Sequence, residues 1–344
     1  MSKKQFDGNS KAKKKLRFNY FVPHLLDAQN PDDDVRWDMK DFSEFILGHK
    51  HTELNTAVPL GDEIADLEWD TMRYDDKEDH NLYYFQLSKN RSKDIPSKKK
   101  LNHDKRAIEL EDDEYIGEFN LLVYDAKYNI LCVQSNYYGL STHQIETTLS
   151  ILRQRIKDTQ GKSEDDNPKG VVLEPLIDTS QIDNVKKHSI YRRIVVKGSD
   201  YNFAASDTYK NNPLNKAISN LQAIGGVNFS IELSMAREKK SKSLKKENVR
   251  EIINEVLELR KNSDSDVSMN IASKKQEEDS IDFVNLLEPR LTSTIVMNVE
   301  NRTTIASESI YTNFCEQTYL SERSDGKNNM RDKAKKLSGI MAES

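Results

Sequence analysis

Side-chain alternation constrains this chain more than any other feature. Val227, Phe229, Ile231, Leu233 and Met235 are interleaved with Asn228, Ser230, Glu232 and Ser234, and Leu291, Ser293, Ile295, Met297 and Val299 repeat the two-residue period. A period of two sends one set of side chains to a core and the other to water. Strands with one wet face belong to antiparallel or mixed sheets rather than to a parallel sheet buried on both sides. Apolar runs stop at four residues, as at 82–85 and 121–124, whereas a membrane-spanning helix needs about 20. The lysine-rich start leads into no apolar stretch of the signal-peptide kind.

Helical patterns lie between the strand patterns. Phe42, Phe45 and Ile46 fit a helix over 41–47 closed by Gly48, and residues 62–69 read as a second short helix. Runs 119–124 and 130–135 flank Asp125-Ala126-Lys127-Tyr128-Asn129, a good length for a hairpin loop. Ser141 followed by Gln144 is a capping box, and Ile145, Leu149, Leu152 and Ile156 form the apolar stripe of the helix it starts. Beyond it, 171–177 and 190–196 read as strands, and Asn212-Pro213 and Gly225-Gly226 start and stop a helix. Residues 243–260 form an amphipathic helix with Val249, Ile252, Ile253, Val256 and Leu257 inward, and 307–319 another helix. The expected fold is α+β, with two lobes of mostly antiparallel or mixed sheets and helices packed on one side. Expected boundaries are a basic flexible tail over 1–15, a lobe over 16–157 and a linker over 158–169. A second lobe over 170–320 carries a mobile insert at 261–280, and 321–344 is a loose tail.

Charged residues make up 32% of the chain and hydrophobic ones 36%, with a net charge of −5. That small sum hides strong blocks. Residues 1–20 hold seven Lys/Arg and one Asp; 31–80 hold sixteen Asp/Glu and five Lys/Arg. Residues 86–106 and 236–250 are basic again. The plain account of such blocks is a solvated face; the functional one is attraction of an oppositely charged partner. Lys239, Lys240, Lys242, Lys245 and Lys246, with Arg237, crowd the start of the 243–260 helix, an end that already favours anions. Lys186, Lys187, Arg192 and Arg193 add a second basic stretch with Tyr191 inside it, and Tyr201 and Phe203 follow. Basic and aromatic residues together suit DNA or RNA. The acidic 31–80 block suits a protein partner instead.

Enzyme motifs are missing: there is no GxxxxGK[ST], GxGxxG, GxSxG, HExxH or CxxC. Cys132 and Cys315 are too few for a disulfide framework, and a reducing cytoplasm is the expected compartment. One weak catalytic pattern is nuclease-like. Asp113 followed by Asp125-Ala126-Lys127 resembles carboxylates that hold Mg²⁺ beside a charge-steadying lysine, and Asp33 or Asp34 with Asp38-Met39-Lys40 repeats the spacing. A turn rich in Asp and Lys accounts for the same residues. His49, His51 and Glu53 alternate as metal ligands would, or as a polar loop would, and Glu109, Glu111, Asp112, Asp113 and Glu114 form an acidic approach to a strand. No cofactor is expected, Mg²⁺ entering only with the nuclease alternative.

Three stretches carry a resemblance: Ile108 through Glu118, Tyr124 through Leu131, and Gln134-Ser135-Asn136-Tyr137-Tyr138-Gly139-Leu140-Ser141, with the 16–21 and 283–299 segments similar in style. They resemble a family of uncharacterised proteins of low-GC Gram-positive bacteria and their prophages. Members often sit among mobile-element and phage-defence genes, so the resemblance implies a phage-defence or host-takeover role. It assigns no catalytic residues. A looser likeness, of size and architecture alone, is to the DNA-binding partner protein of the Kiwa defence system. The resulting expectation is a soluble, prophage- or defence-associated protein that binds nucleic acid non-specifically through the basic surface of its C-terminal half. The alternatives are a metal-dependent nuclease and a protein–protein interaction component.

Overall fold

A computed structural model describes residues 11–27, 30, 34–49, 54–91, 93, 95–112, 114–162, 168–198, 229–235, 238–239, 241–262, 267–278, 281–300, 304–321 and 329–339. They belong to two units, one of Met1–Leu176 with Leu291–Ser344 and one of Ile177–Arg290. The larger unit runs β1 (Lys11–Leu26), β2 (Asp34–Arg36), α1 (Lys40–Gly48), β3 (Val58–Leu60), β4 (Glu63–Asp75) and β5 (Leu82–Arg91). It continues through the short pair β6 (Lys98–Lys99) and β7 (Lys105–Arg106), then β8 (Ile116–Asp125), β9 (Ile130–Ser135), α2 (Thr142–Thr159) and β10 (Gly170–Pro175). The smaller unit supplies α3 (Ser180–Lys187), β11 (Ile190–Gly198), β12 (Phe229–Ser234), α4 (Lys246–Asn262), β13 (Val267–Lys274) and β14 (Asp282–Asn285). The chain then returns to the larger unit for β15 (Thr292–Glu300), α5 (Ser307–Phe314), a π turn over Cys315–Tyr319 and α6 (Met330–Ser338).

Among the described residues the larger unit is built on a nine-stranded sheet in the order β10-β1-β9-β8-β5-β4-β3, with β15 and β2 also on β1. Every pairing is antiparallel. β1 shows why both faces are covered. Leu16, Phe18, Tyr20 and Val22 enter one core with Ile295, Phe314 and Tyr319. Phe21 enters the other, with Trp37, Phe42, Leu149 and Leu173. Helices α1 and α2 therefore close one side, and α5, the π turn and α6 close the other. The capping box forms as the sequence predicts, Ser141 Oγ accepting from Gln144 N and Gln144 Oε1 from Ser141 N.

The smaller unit is a four-stranded antiparallel sheet ordered β12-β11-β13-β14. Its single core joins Val185 of α3, Ile252, Ile253 and Val256 of α4, and Tyr191, Ile194, Val196, Met269 and Ile271 of the strands. The α+β class with antiparallel sheets is what alternation predicts. No helix among the described residues is long and apolar enough to cross a membrane.

Domain boundaries differ from the sequence reading. The 158–169 linker does not separate units, because β10 beyond it pairs with β1 from Phe21↔Pro175 to Leu26↔Gly170. β15 also returns to β1, from Lys11↔Glu300 to Asn19↔Thr292. Linker composition marks the end of a helix; it carries no information about which sheet the next strand joins. The expected mobile insert contains β13, whose Met269 and Ile271 are fully buried between β11 and β14. Ser268 and Asn270 dilute the apolar signal of that strand. Residues 11–15, expected in a loose tail, open β1, and 330–338, expected in another, form α6 with Ala334 buried. The 62–69 segment lies mostly in β4 rather than a helix, with Ala65 and Leu67 buried alternately. The 212–226 helix pattern lies outside the described residues.

One turn is tightly specified. Asn120 is buried; its Nδ2 donates to Gln134 O (2.9 Å) and its Oδ1 accepts from Leu140 N (2.7 Å). A Cβ on Gly139 would sit 2.3 Å from that Oδ1. Gly139→Ala must therefore displace a buried, doubly bonded amide, at a cost of about 1–2 kcal/mol. Thermal unfolding of this variant checks the claim, and an unchanged Tm would show that Asn120 yields freely.

Candidate nucleic-acid interface

The candidate site is a basic cluster on the smaller unit, held together by two arginines that bind backbone. A register slip between Tyr191 and Arg193 lets Tyr191 and Ile194 both enter the core although they are three residues apart. Arg192, at the slip, is turned toward the loop that follows β12. Its Nη1 donates to Lys239 O and Lys242 O (both 2.8 Å) and its Nη2 to Glu238 O (2.9 Å). Leu244 N donating to Tyr191 O (2.9 Å), and Tyr191 N to Ser243 Oγ (2.9 Å), fix the rest of the loop to the same strand. All three of these acceptors are backbone carbonyls, so the guanidinium fixes the path of the lysine-bearing loop.

Arg250 makes the second tie. Its Nε donates to Lys186 O (2.8 Å), and Tyr191 Oη donates to Val185 O (2.8 Å). The C-terminal end of α3, with Lys186 and Lys187, is thereby held against the first turns of α4, with Lys245 and Lys246. Lys187, Lys239, Lys242, Lys245 and Lys246 are exposed, and Lys242 pairs with Glu238 at 3.1 Å. The core-facing side of α4 carries a different kind of group. Glu255 is fully buried, and burial together with the Glu251 carboxylate pushes its carboxyl up to about 7.

The structure thus ties together Lys186, Lys187, Arg192, Lys239, Lys242, Lys245 and Lys246 from three segments. It sends Arg193 to the other face of the sheet, where it pairs with Glu232 at 2.7 Å. Arg237 and Lys240, like Tyr201 and Phe203, lie outside the described residues. Tyr191 is buried and serves the core, so it stacks on no ligand. Sequence reasoning leaves out Arg250, whose signal is its position four residues after Lys246 on the same helix face.

The nuclease pattern does not assemble. Asp125 ends β8 fully buried, and its oxygens are taken by Arg331 Nε (2.7 Å) and Nη2 (3.0 Å), Tyr319 Oη (2.7 Å) and Lys127 N (3.1 Å). A carboxylate so enclosed has no coordination position to give a metal, and the Lys127 side chain faces solvent. Asp113 and Asp33 lie outside the described residues. Asp34 binds His24 Nδ1 (2.7 Å), and Asp38 accepts from Tyr124 Oη (2.8 Å) and Lys40 N (2.9 Å). His49 stacks on Phe45 with ring centroids 4.1 Å apart, while His51 and Glu53 are outside the described residues. Glu109, Glu111, Asp112 and Glu114 are exposed. Among the described residues no group of three His, Cys, Asp or Glu could hold a metal ion.

Carboxylates of the 31–80 block are spread over several elements and largely serve their neighbours. Asp66 accepts from Thr56 Oγ1 (2.6 Å), Glu63 pairs with Lys89 (2.8 Å) and Asp62 with Lys93 (2.9 Å). Burial would raise the Asp75 carboxyl, yet hydrogen bonds from Tyr311, the Lys77 N–H and His80 more than offset it and hold the group below its ordinary value. Cys132 and Cys315 are buried thiols; burial pushes Cys315 up to about 12 and Cys132 well above its ordinary value, so neither is a ready nucleophile.

No curated protein matches the chain. A family model described as a family of unknown function, DUF6731, matches residues 11–331. That span reaches from the first strand of the larger unit, through the whole of the smaller one, to Arg331 in the last helix, and the chain belongs to this family.

Proposed function

We propose that the protein binds nucleic acid through its smaller unit, contacting phosphates without reading base sequence. The observation that carries this reading is the pinning of three separate basic segments by Arg192 and Arg250. Solubility alone asks for exposed lysines anywhere on the surface; it does not ask for two guanidiniums to hold their backbones together. The cations number more than the acids beside them, Glu238, Glu247 and Asp183. Phosphate oxygens are the ligands that a cluster of flexible ammonium groups around a helix start receives best. No zinc-finger or recognition-helix signature accompanies the cluster, which favours electrostatic over base-specific binding. A place in prophage or phage-defence loci fits a protein of this kind.

The test is a gel-shift or anisotropy titration of duplex DNA and RNA across a salt series. Wild type is expected to bind at low salt and weaken steeply, log K falling with log salt by about 0.9 per phosphate contact on duplex DNA. A Lys239→Glu/Lys242→Glu/Lys245→Glu/Lys246→Glu variant should bind at least about tenfold more weakly and show a flatter slope by about 3 or more. Equal binding by the variant, or none by wild type at low salt, removes the proposal.

A further inference from the structure

β1 begins as a basic ribbon on the larger unit. Lys13, Lys15 and Arg17 stand at i, i+2 and i+4, so they share one strand face, opposite the face by which Leu16 and Phe18 enter the core. All three are exposed. Their cross-strand neighbours are Asn298, Val296 and Thr294 on β15 and, opposite Arg17, Ser135 on β9. None of these carries charge, and all are exposed. At ~3.4 Å of rise per residue the cations repeat every ~7 Å. That spacing is close to the phosphate repeat of an extended nucleic-acid strand.

β9 leaves the sheet at Ser135, level with Arg17, and turns through Tyr137 and Tyr138. These two side chains are 93% and 63% exposed, with ring centroids 5.1 Å apart at an interplanar angle of 89°. The turn beneath them is rigidly built. Asn136 Nδ2 donates to Phe119 O and to Glu118 Oε2 (both 3.1 Å), Asn136 Oδ1 accepts from Tyr138 N (3.3 Å), and Leu140 N is held by buried Asn120. Two neighbouring tyrosines held out in water on a fixed turn hide no apolar surface of their own unit. They offer ring faces to something else, and next to a row of cations that something is a chain of bases and phosphates.

The geometry points to a second nucleic-acid site, on the larger unit and specific for single strands of DNA or RNA, in which Lys13, Lys15 and Arg17 hold phosphates while Tyr137 and Tyr138 stack bases. It shares a ligand class with the interface on the smaller unit but none of its residues, and the two stand or fall separately. Lysines on a strand with an unpaired edge also discourage edge-to-edge association. That role needs no tyrosines, which gives the experiment its discrimination.

Labelled oligothymidylate and oligouridylate are titrated with the full chain at low salt and followed by anisotropy, the two arms separating DNA from RNA. Binding of at least one is expected. Tyr137→Ala/Tyr138→Ala should weaken it about tenfold or more, and Tyr137→Phe/Tyr138→Phe should stay within about twofold, because phenylalanine keeps the ring face. Lys13→Glu/Lys15→Glu/Arg17→Glu should weaken it about tenfold or more and flatten the salt slope by about 2. No binding of either oligonucleotide by wild type overturns the site, as does a charge-reversal loss without a loss in the double alanine variant. If Lys245→Glu/Lys246→Glu leaves single-strand binding intact while the alanine pair abolishes it, this site stands without the other. The converse result sinks this site alone.

Discussion

Replacing Asp125 by alanine is expected to destabilise the larger unit by about 3–5 kcal/mol, the cost of leaving a buried partner charge uncompensated. The Arg331 guanidinium is 12% exposed and has three contacts at this place: both Asp125 oxygens and His80 O, the last at 2.5 Å. Without the carboxylate it keeps only a carbonyl, and Tyr319 Oη loses its acceptor inside the core. The Arg331 and Lys335 cations over the Tyr128 ring, 4.9 and 4.8 Å from its centroid, cannot replace that charge. For a unit of this size the loss corresponds to a Tm lower by roughly 6–20 °C. Trp37 and Trp69 are the two tryptophans and both lie in the larger unit, so their emission during urea unfolding follows it directly. Asp125→Ala/Arg331→Met should be milder than the sum of its two single variants, because it removes both charges together. Additive losses would mean that the ion pair is incidental to how α6 is held.

Glu255→Gln is expected to stabilise the smaller unit at pH 8 by about 2–3 kcal/mol and to do little at pH 4.5. A glutamate in an unfolded chain titrates near ~4.3, whereas burial and Glu251 push the folded group up to about 7. Between those values the folded protein keeps a proton that the unfolded chain releases. This group's contribution to stability therefore falls as pH rises through that window and is constant above it. Glutamine has the same shape and no charge to bury. Urea unfolding followed by far-UV circular dichroism at the two pH values reads the difference, in the transition that tryptophan emission does not report. An equal gain at both pH values would rule out ionisation as the cause.

What could be read from the sequence was whatever a short window encodes. Ser141 and Gln144 form their capping box, the hairpin closes over Asp125–Asn129, and Ile252, Ile253 and Val256 face inward. Partnership across long separations could not be read this way. Asp125 and Arg331 are 206 residues apart, so the aspartate looks like an ordinary turn residue until α6 arrives beside it. Residues 11–15 read as part of a basic tail because four of the five are lysines, and only the pairing with β15 shows that they belong to the sheet. The same holds for the sites. Lysines around 239–246 are visible as composition, while the carbonyl ties of Arg192 and Arg250 depend on a register slip and a helix–helix approach. Tyr137 and Tyr138 carry no exposure signal, since tyrosine is as common inside cores as outside.

The placement of β15 also sets an order of events during synthesis. β1 emerges first, yet its partner over Lys11–Asn19 follows some 270 residues later, after the whole of Ile177–Arg290. At about 5–20 residues per second on the ribosome, that half of β1 waits roughly 15–60 s with an open edge. The inserted segment can fold meanwhile, since the bridge Ile177↔Arg290 closes it on itself and Leu291 N meets Leu176 O at 2.7 Å where the two ends rejoin. A nascent strand left unpaired that long is a hazard for association between neighbouring chains, and like charge at Lys13, Lys14 and Lys15 keeps two such strands apart until β15 is made.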